Sequence, residues 1–225
     1  MDLSPFALGL VLFSALLTIV LLVRRRAYLA KSRSTRQSNS AIKDLVADLP
    51  APFGYKSAWY AVRADDPLSV ANRLNLRRIK SSTWKEGLQK AYEASVFTSP
   101  PTHGWILAVG TSLFPSSPIS QAISATVEDL SRIHGQAFFF ATDRITETHI
   151  WARATSGALE RGYGYSGESG EILWDHGQQT KEEAAIAFDF PDEQTVMDLA
   201  RRWCISPVDL PFADSTPGLG LLGKR

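Results

Sequence analysis

The chain has 225 residues, with 24 Lys plus Arg against 23 Asp plus Glu, so its net charge of +1 offers no global field to draw in nucleic acid. One cysteine, Cys204, excludes an internal disulfide and any multi-cysteine zinc centre. With an N-terminal anchor and linker set aside, about 160 residues remain, which suits one domain with a single core.

Leu3 to Val23 carries no charged residue. At 1.5 Å per residue this run of about 21 residues reaches roughly 30 Å, the thickness of a bilayer's hydrocarbon core. Residues 1–26 are therefore predicted to be a transmembrane anchor with a basic flank, contacting the lipid bilayer through Leu3–Val23. A cleavable signal peptide would carry its positive charge first and end at a small-residue cleavage site, whereas here MDLS precedes the apolar run and Arg24, Arg25 and Arg26 follow it. The positive-inside bias places the N-terminus outside and the rest of the chain in the cytoplasm.

Residues 27–53 read as a flexible, basic juxtamembrane linker. Its KSRSTRQSNS stretch is small and polar, and its cations can touch anionic headgroups. Specific nucleic-acid binding is not expected, because no aromatic residue from 32 to 52 can stack on a base.

A single globular domain is predicted over 54–212. A strand at 57–64 ends where Asp66 caps a helix that begins with Pro67. A second helix opens with a capping box, Thr83 to Glu86, and repeats Trp84, Leu88, Ala91 and Tyr92 on its inner face. The Pro100-Pro101 pair forces a loop that holds His103 and leads to a strand at 105–109. Ile119, Ile123, Val127, Leu130 and Ile133 form the stripe of a long helix stopped by Gly135. Phe138 to Phe140 suit an interior strand. From Thr146 the residues alternate, Ile150, Ala152 and Ala154 falling opposite Glu147, His149, Trp151 and Arg153. The next strand, 159–166, sets Arg161, Tyr163 and Tyr165 on one face, with Gly162 and Gly164 making the other face thin enough for close approach. Residues 171–174 complete a hairpin. A second capping box at Thr180 to Glu183 and a helix from Asp192 that carries Val196, Leu199, Ala200 and Trp203 follow. Cys204 sits in this apolar pattern as a buried structural thiol. Residues 213–225 lack periodicity and are predicted to be a disordered tail.

The expected fold is α+β, with a mainly antiparallel sheet of about five or six strands, helices against one face, and one N-terminal transmembrane helix. Trp151, Arg153, Arg161, Tyr163 and Tyr165 form a candidate binding surface, since Trp, Tyr and Arg supply the most binding energy per area. For catalysis the candidates are His149 with Glu147, and His103. No partnered nucleophile, GxSxG elbow, HExxH helix or phosphate loop accompanies them, so neither a cofactor nor a metal is expected.

The segments FFATDRITETHIWAR, RGYGYSGESGEILWDHGQQTKEE and RRWCISPVDL, with GYKSAWYAVRADDP, TWKEGLQKAY and PPTHGWILAVG upstream, resemble a group of uncharacterised bacterial proteins, often membrane-tethered. The commoner form of that pattern has histidine at the position of Asp143, so a role for such a histidine does not transfer. The resemblance implies a bacterial source, which makes the membrane the inner (cytoplasmic) one. It carries no established activity and only a loose similarity to immunity-type proteins that neutralise toxins. The functional expectation is a single-pass, membrane-tethered, non-catalytic interaction protein with a protein partner, either immunity-like or part of an envelope complex. The alternative is a hydrolase or transferase using His149 and Glu147.

Overall fold

The computed structural model describes residues 45–225 apart from 55, 116–118, 187 and 213. The expected anchor Leu3–Val23 and most of the linker lie outside the described residues. Among those described, no helix is long and apolar enough to cross a membrane.

Nine strands form one sheet, against the five or six expected. In chain order they are β1 Lys56–Val62, β2 Arg77–Ser82, β3 Val96–Thr98, β4 Ile106–Val109, β5 Gln136–Asp143, β6 Thr148–Thr155, β7 Ala158–Ser166, β8 Glu171–His176 and β9 Gly220–Lys224. The spatial order is β2-β9-β3-β4-β1-β5-β6-β7-β8, and every pairing is antiparallel.

The three additional strands have weak local signals. β2 is a largely exposed edge strand, RRIKSS, whose cations and register shift discourage pairing with another chain. β3 has three residues. β9 falls in the stretch expected to be a disordered tail, yet it lies between β2 and β3 and buries Leu222 in the core. Hydrogen bonds on both sides hold a GLLGK sequence that has little strand preference of its own.

Helices cover both faces, which corrects the one-sided arrangement expected. They are α1 Pro67–Arg73, α2 Trp84–Ala91, α3 Ile119–His134, α4 Lys181–Ala184 and α5 Glu193–Trp203. Val70, Ala71 and Leu74 of α1 join Ile123, Val127 and Leu130 of α3 over one face, against Tyr60, Phe139, Ile150, Ala152 and Ala154. Trp84 and Leu88 of α2 and Val196, Leu199 and Trp203 of α5 cover the other, against Trp59, Phe138, Phe140 and Trp151. The alternation of β6 thus places its small residues beneath α3, as expected. Of its larger set, His149 and Trp151 are buried too, while Arg153 is partly exposed.

The caps explain where the helices begin. Asp66 accepts from the amides of Leu68 and Ser69. Thr83 accepts from Glu86 N, but Glu86 does not close a capping box; its carboxylate pairs with Lys80 at 3.0 Å. The remaining free amides of α2, on Trp84 and Lys85, are taken by the Asp48 carboxylate at 2.6 and 3.0 Å. Asp48 also bridges to Gly218, and Phe53 is buried in the core. The end of the stretch expected as linker is therefore tied to the domain, and the compact unit runs from Val46 to Arg225.

Candidate functional site

Of the five residues of the expected binding surface, Trp151, Arg161 and Tyr165 are buried, and Arg153 and Tyr163 are partly exposed. Trp151 is fully buried and stacks on Tyr163 with ring centres 4.7 Å apart, while Phe188 meets it edge-on. Arg161 is 5 % exposed and Tyr165 8 % exposed, so neither is available as a broad surface contact. Arg153 packs over Phe138 and Trp203 and bonds Glu160 at 2.8 Å. The second covering layer, α4 and α5, shields much of this face from solvent.

Arg161 anchors that layer. Its Nε donates to both Glu183 oxygens, at 2.9 and 3.1 Å, and its Nη1 reaches Asp175 and the carbonyls of Gly162, His176 and Gly177. Burial acts to lower the Arg161 pKa, but the bonds from Asp175 and Glu183 raise it overall. Glu183 in turn accepts from Trp151 Nε1 and from the amide of Thr180, completing the capping box of α4. A buried ion pair with this many hydrogen bonds is a structural clasp between α4 and the sheet. The capping box showed in the sequence; its glutamate's second partnership with Arg161 had no local signal.

At the Asp143–Thr148 end of β5 and β6 the covering layer stops short and leaves a cleft of about 480 Å³. His149 and Tyr165 form its inner wall, Arg144 and Glu147 come from the β5–β6 turn, and Phe190 to Glu193 come from the entry to α5. Sequence alternation places Glu147 and His149 on the same side, and they do share the cleft. His103 does not join them. It sits beyond Val62, where its carbonyl accepts from Arg63 Nη1, at the far end of β1 from Lys56 and Asp143. The seven residues of β1 put roughly 20 Å between the two ends.

His149 is 4 % exposed. Its Nδ1 is fixed at 3.1 Å by the buried Thr142 hydroxyl on the neighbouring strand. Its Nε2 has no protein partner and is not among the sealed polar atoms, so this edge of the ring opens to the cleft. Burial holds the His149 pKa below the ordinary value, opposed by Asp192, Glu147 and Asp143, and the ring is neutral near pH 7.

Glu147 has a positive φ of 47°. Its carbonyl accepts from Gly167 N at 2.8 Å, while its carboxylate has no hydrogen-bonded partner. A Cβ at Gly167 would stand 2.6 Å from Glu147 Cβ, so the close crossing of the two turns favours glycine. Asp192 uses Oδ1 to cap α5 through Thr195 N and Oγ1, both at 2.7 Å, leaving Oδ2 unengaged. Burial works to raise its pKa, but the bonds from Thr195 and the nearby His149 lower it overall. Phe190 is 72 % exposed and lies 5.9 Å from the Tyr165 ring.

Phe190 and Asp192 were missing from the candidates drawn from sequence. A hint was present: Phe190 stands just before a Pro-Asp helix start and belongs to no apolar stripe. Cys204 is no reactive group, since burial pushes its thiol up to about 12. Among the described residues, no group of three or more His, Cys, Asp or Glu side chains is placed to hold a metal ion.

Compared with known proteins, the chain matches no family model, no curated protein and no solved structure.

Proposed function

We propose that the chain is a membrane-tethered, non-catalytic binding protein that recognises a protein partner through the His149 cleft. One observation carries the choice of site: a buried histidine, fixed on one nitrogen and open on the other, stands beside a largely exposed phenylalanine in a concave opening. Among the described residues, no serine, threonine, cysteine or lysine lines this opening, and no hydrogen-bonded nucleophile–base pair is found in it, which favours binding over covalent chemistry. The uncharged segment 3–23 and the arginines after it support attachment to a bacterial inner membrane with the domain on the cytoplasmic side. An immunity-type inhibitor of a toxin and a component of an envelope complex both fit that placement.

Site-specific photocrosslinking in cells tests the proposal. A photoreactive residue at Phe190 should capture one defined protein, and Glu147→Gln in the same chain should abolish the adduct. The same residue at Ile133, an exposed position on α3, should capture nothing in common with it. Identical adducts from both positions, or none from Phe190, reject the cleft as the recognition site.

The convergence of Glu147 and His149 favours a second function, general acid–base catalysis by a hydrolase or transferase. It requires turnover of an ester or phosphodiester probe that disappears in His149→Gln. Equal background rates for both proteins rule it out.

A further inference from the structure

The cleft has a definite chemical character. Two carboxylates line it: Glu147, which has no hydrogen-bonded partner, and Asp192, which caps α5 through Oδ1 and keeps Oδ2 unengaged. With Glu193 and Arg144 included and His149 neutral, the lining carries three negative charges and one positive. Tyr165 and Phe190 add aromatic faces on one side. The buried imidazole edge offers a polar atom at a fixed position, locked by Thr142.

Acids at a protein surface are usually just solvated, so the carboxylates alone would mean little. The imidazole is a separate observation. A ring 4 % exposed, held through Nδ1 by Thr142 and with Nε2 at the cleft, presents one polar atom that the fold leaves for a ligand or water. Anionic ligands are opposed by the carboxylates of Glu147 and Asp192. A neutral apolar ligand would leave those carboxylates and Nε2 unsatisfied. A planar or tetrahedral nitrogen cation satisfies all three and gains from the aromatic faces as well.

We propose that the cleft binds an alkylammonium or guanidinium group on an aliphatic stem, as carried by lysine, arginine or a polyamine. The carboxylates of Glu147 and Asp192 receive the cation's N–H groups, Phe190 and Tyr165 cover its stem, and His149 Nε2 accepts a further hydrogen in the tautomer whose Nδ1–H donates to Thr142. A cleft of about 480 Å³ has room for one such side chain and little more than its adjoining backbone. The proposal rests on the cleft being a recognition site, and it names the group recognised there.

Titration of the folded protein followed by NMR of the His149 ring is the test, with N-acetyl-arginine amide, N-acetyl-lysine amide, free arginine, putrescine and N-acetyl-citrulline amide as probes. Citrulline keeps the shape of arginine without its charge. The capped arginine or lysine should saturate the His149 signals, and citrulline should fail to. Glu147→Gln/Asp192→Asn should weaken the cation by at least about tenfold, a loss near 1.4 kcal/mol. Asparagine keeps the helix cap, so this variant retains α5. Stronger binding of the capped amides identifies a partner's side chain as the source, and stronger binding of free arginine or putrescine identifies a solute. Equal binding of citrulline and arginine overturns the proposal, as does an unchanged affinity in the double variant or no binding by any cation. If crosslinking from Phe190 survives while every cation fails, the cleft remains a recognition site and only its proposed ligand chemistry is lost.

Discussion

Arg153 and Arg161 stand directly opposite each other across β6 and β7, and each guanidinium is neutralised by its own carboxylate. Arg153 uses Glu160 at a half-exposed rim, while Arg161 uses Glu183 in the interior and Asp175 nearer the surface. Like charges facing each other destabilise a sheet unless both are compensated.

That difference in burial predicts unequal costs. Glu183→Gln removes the buried partner of Arg161 and leaves it only the half-exposed Asp175, so it should cost about 1–3 kcal/mol, whereas Glu160→Gln should cost less than about 1 kcal/mol. Urea unfolding followed by tryptophan fluorescence measures both, and Trp151, bonded to Glu183, reports directly. Equal small losses would show that the clasp contributes little.

Gly162 lies under the Trp174 ring, where a Cβ would come within 2.1 Å of Cζ2. Gly162→Ala should therefore destabilise the domain by about 1–3 kcal/mol through overpacking. Gly164→Ala, whose Cβ would meet nothing closer than 3.6 Å, should cost less. Thermal melts of the two variants compare them, and a neutral Gly162→Ala would mean that Trp174 moves freely aside.

Whether residues 220–224 are a strand or a tail can be measured. Leu222 is 5 % exposed and packs in the core, so Leu222→Ala should cost about 2–5 kcal/mol. Leu219, at 37 % exposure just before the strand, should cost less than about 1 kcal/mol on the same change. Matching small losses at both positions would return this segment to the tail.

The buried histidine predicts a pH dependence. Burial depresses the folded-state pKa of His149 below its unfolded value, so the unfolded chain binds the proton more readily. Stability should be complete above about pH 6.5 and should fall as the pH drops through that value toward the folded pKa. His134 is shifted the same way by burial and by Arg73, so His149→Gln should remove only part of the slope and His134→Gln another part. Urea midpoints between pH 7.5 and about pH 5 test this. An unchanged slope in His149→Gln would show that its ring titrates alike in the folded and unfolded chain.

Much of the architecture was legible because its signals are local. The caps at Asp66, Thr83 and Thr180, the stripe of α3, the alternation of β6 and the thin glycine face of β7 each depend on residues a few positions apart. The same locality explains the errors. Trp151, Arg161 and Tyr165 look like an exposed binding set when β6 and β7 are read alone, because alternation shows which residues share a face and says nothing about what covers it.

The sequence by itself determined the helices, the central strands and the pairing of Glu147 with His149 on one side of a turn, since these follow from backbone periodicity and capping. Only the tertiary structure decided that β9 closes the sheet between β2 and β3, that α4 and α5 shield much of the presumed surface, and that Asp192 and Phe190 meet His149. The physical reason is distance along the chain: β9 joins partners more than 100 residues away, and α5 brings Asp192 to a ring 43 residues before it. Such contacts are chosen by burial and hydrogen-bond satisfaction over the whole core, which no short window of sequence contains.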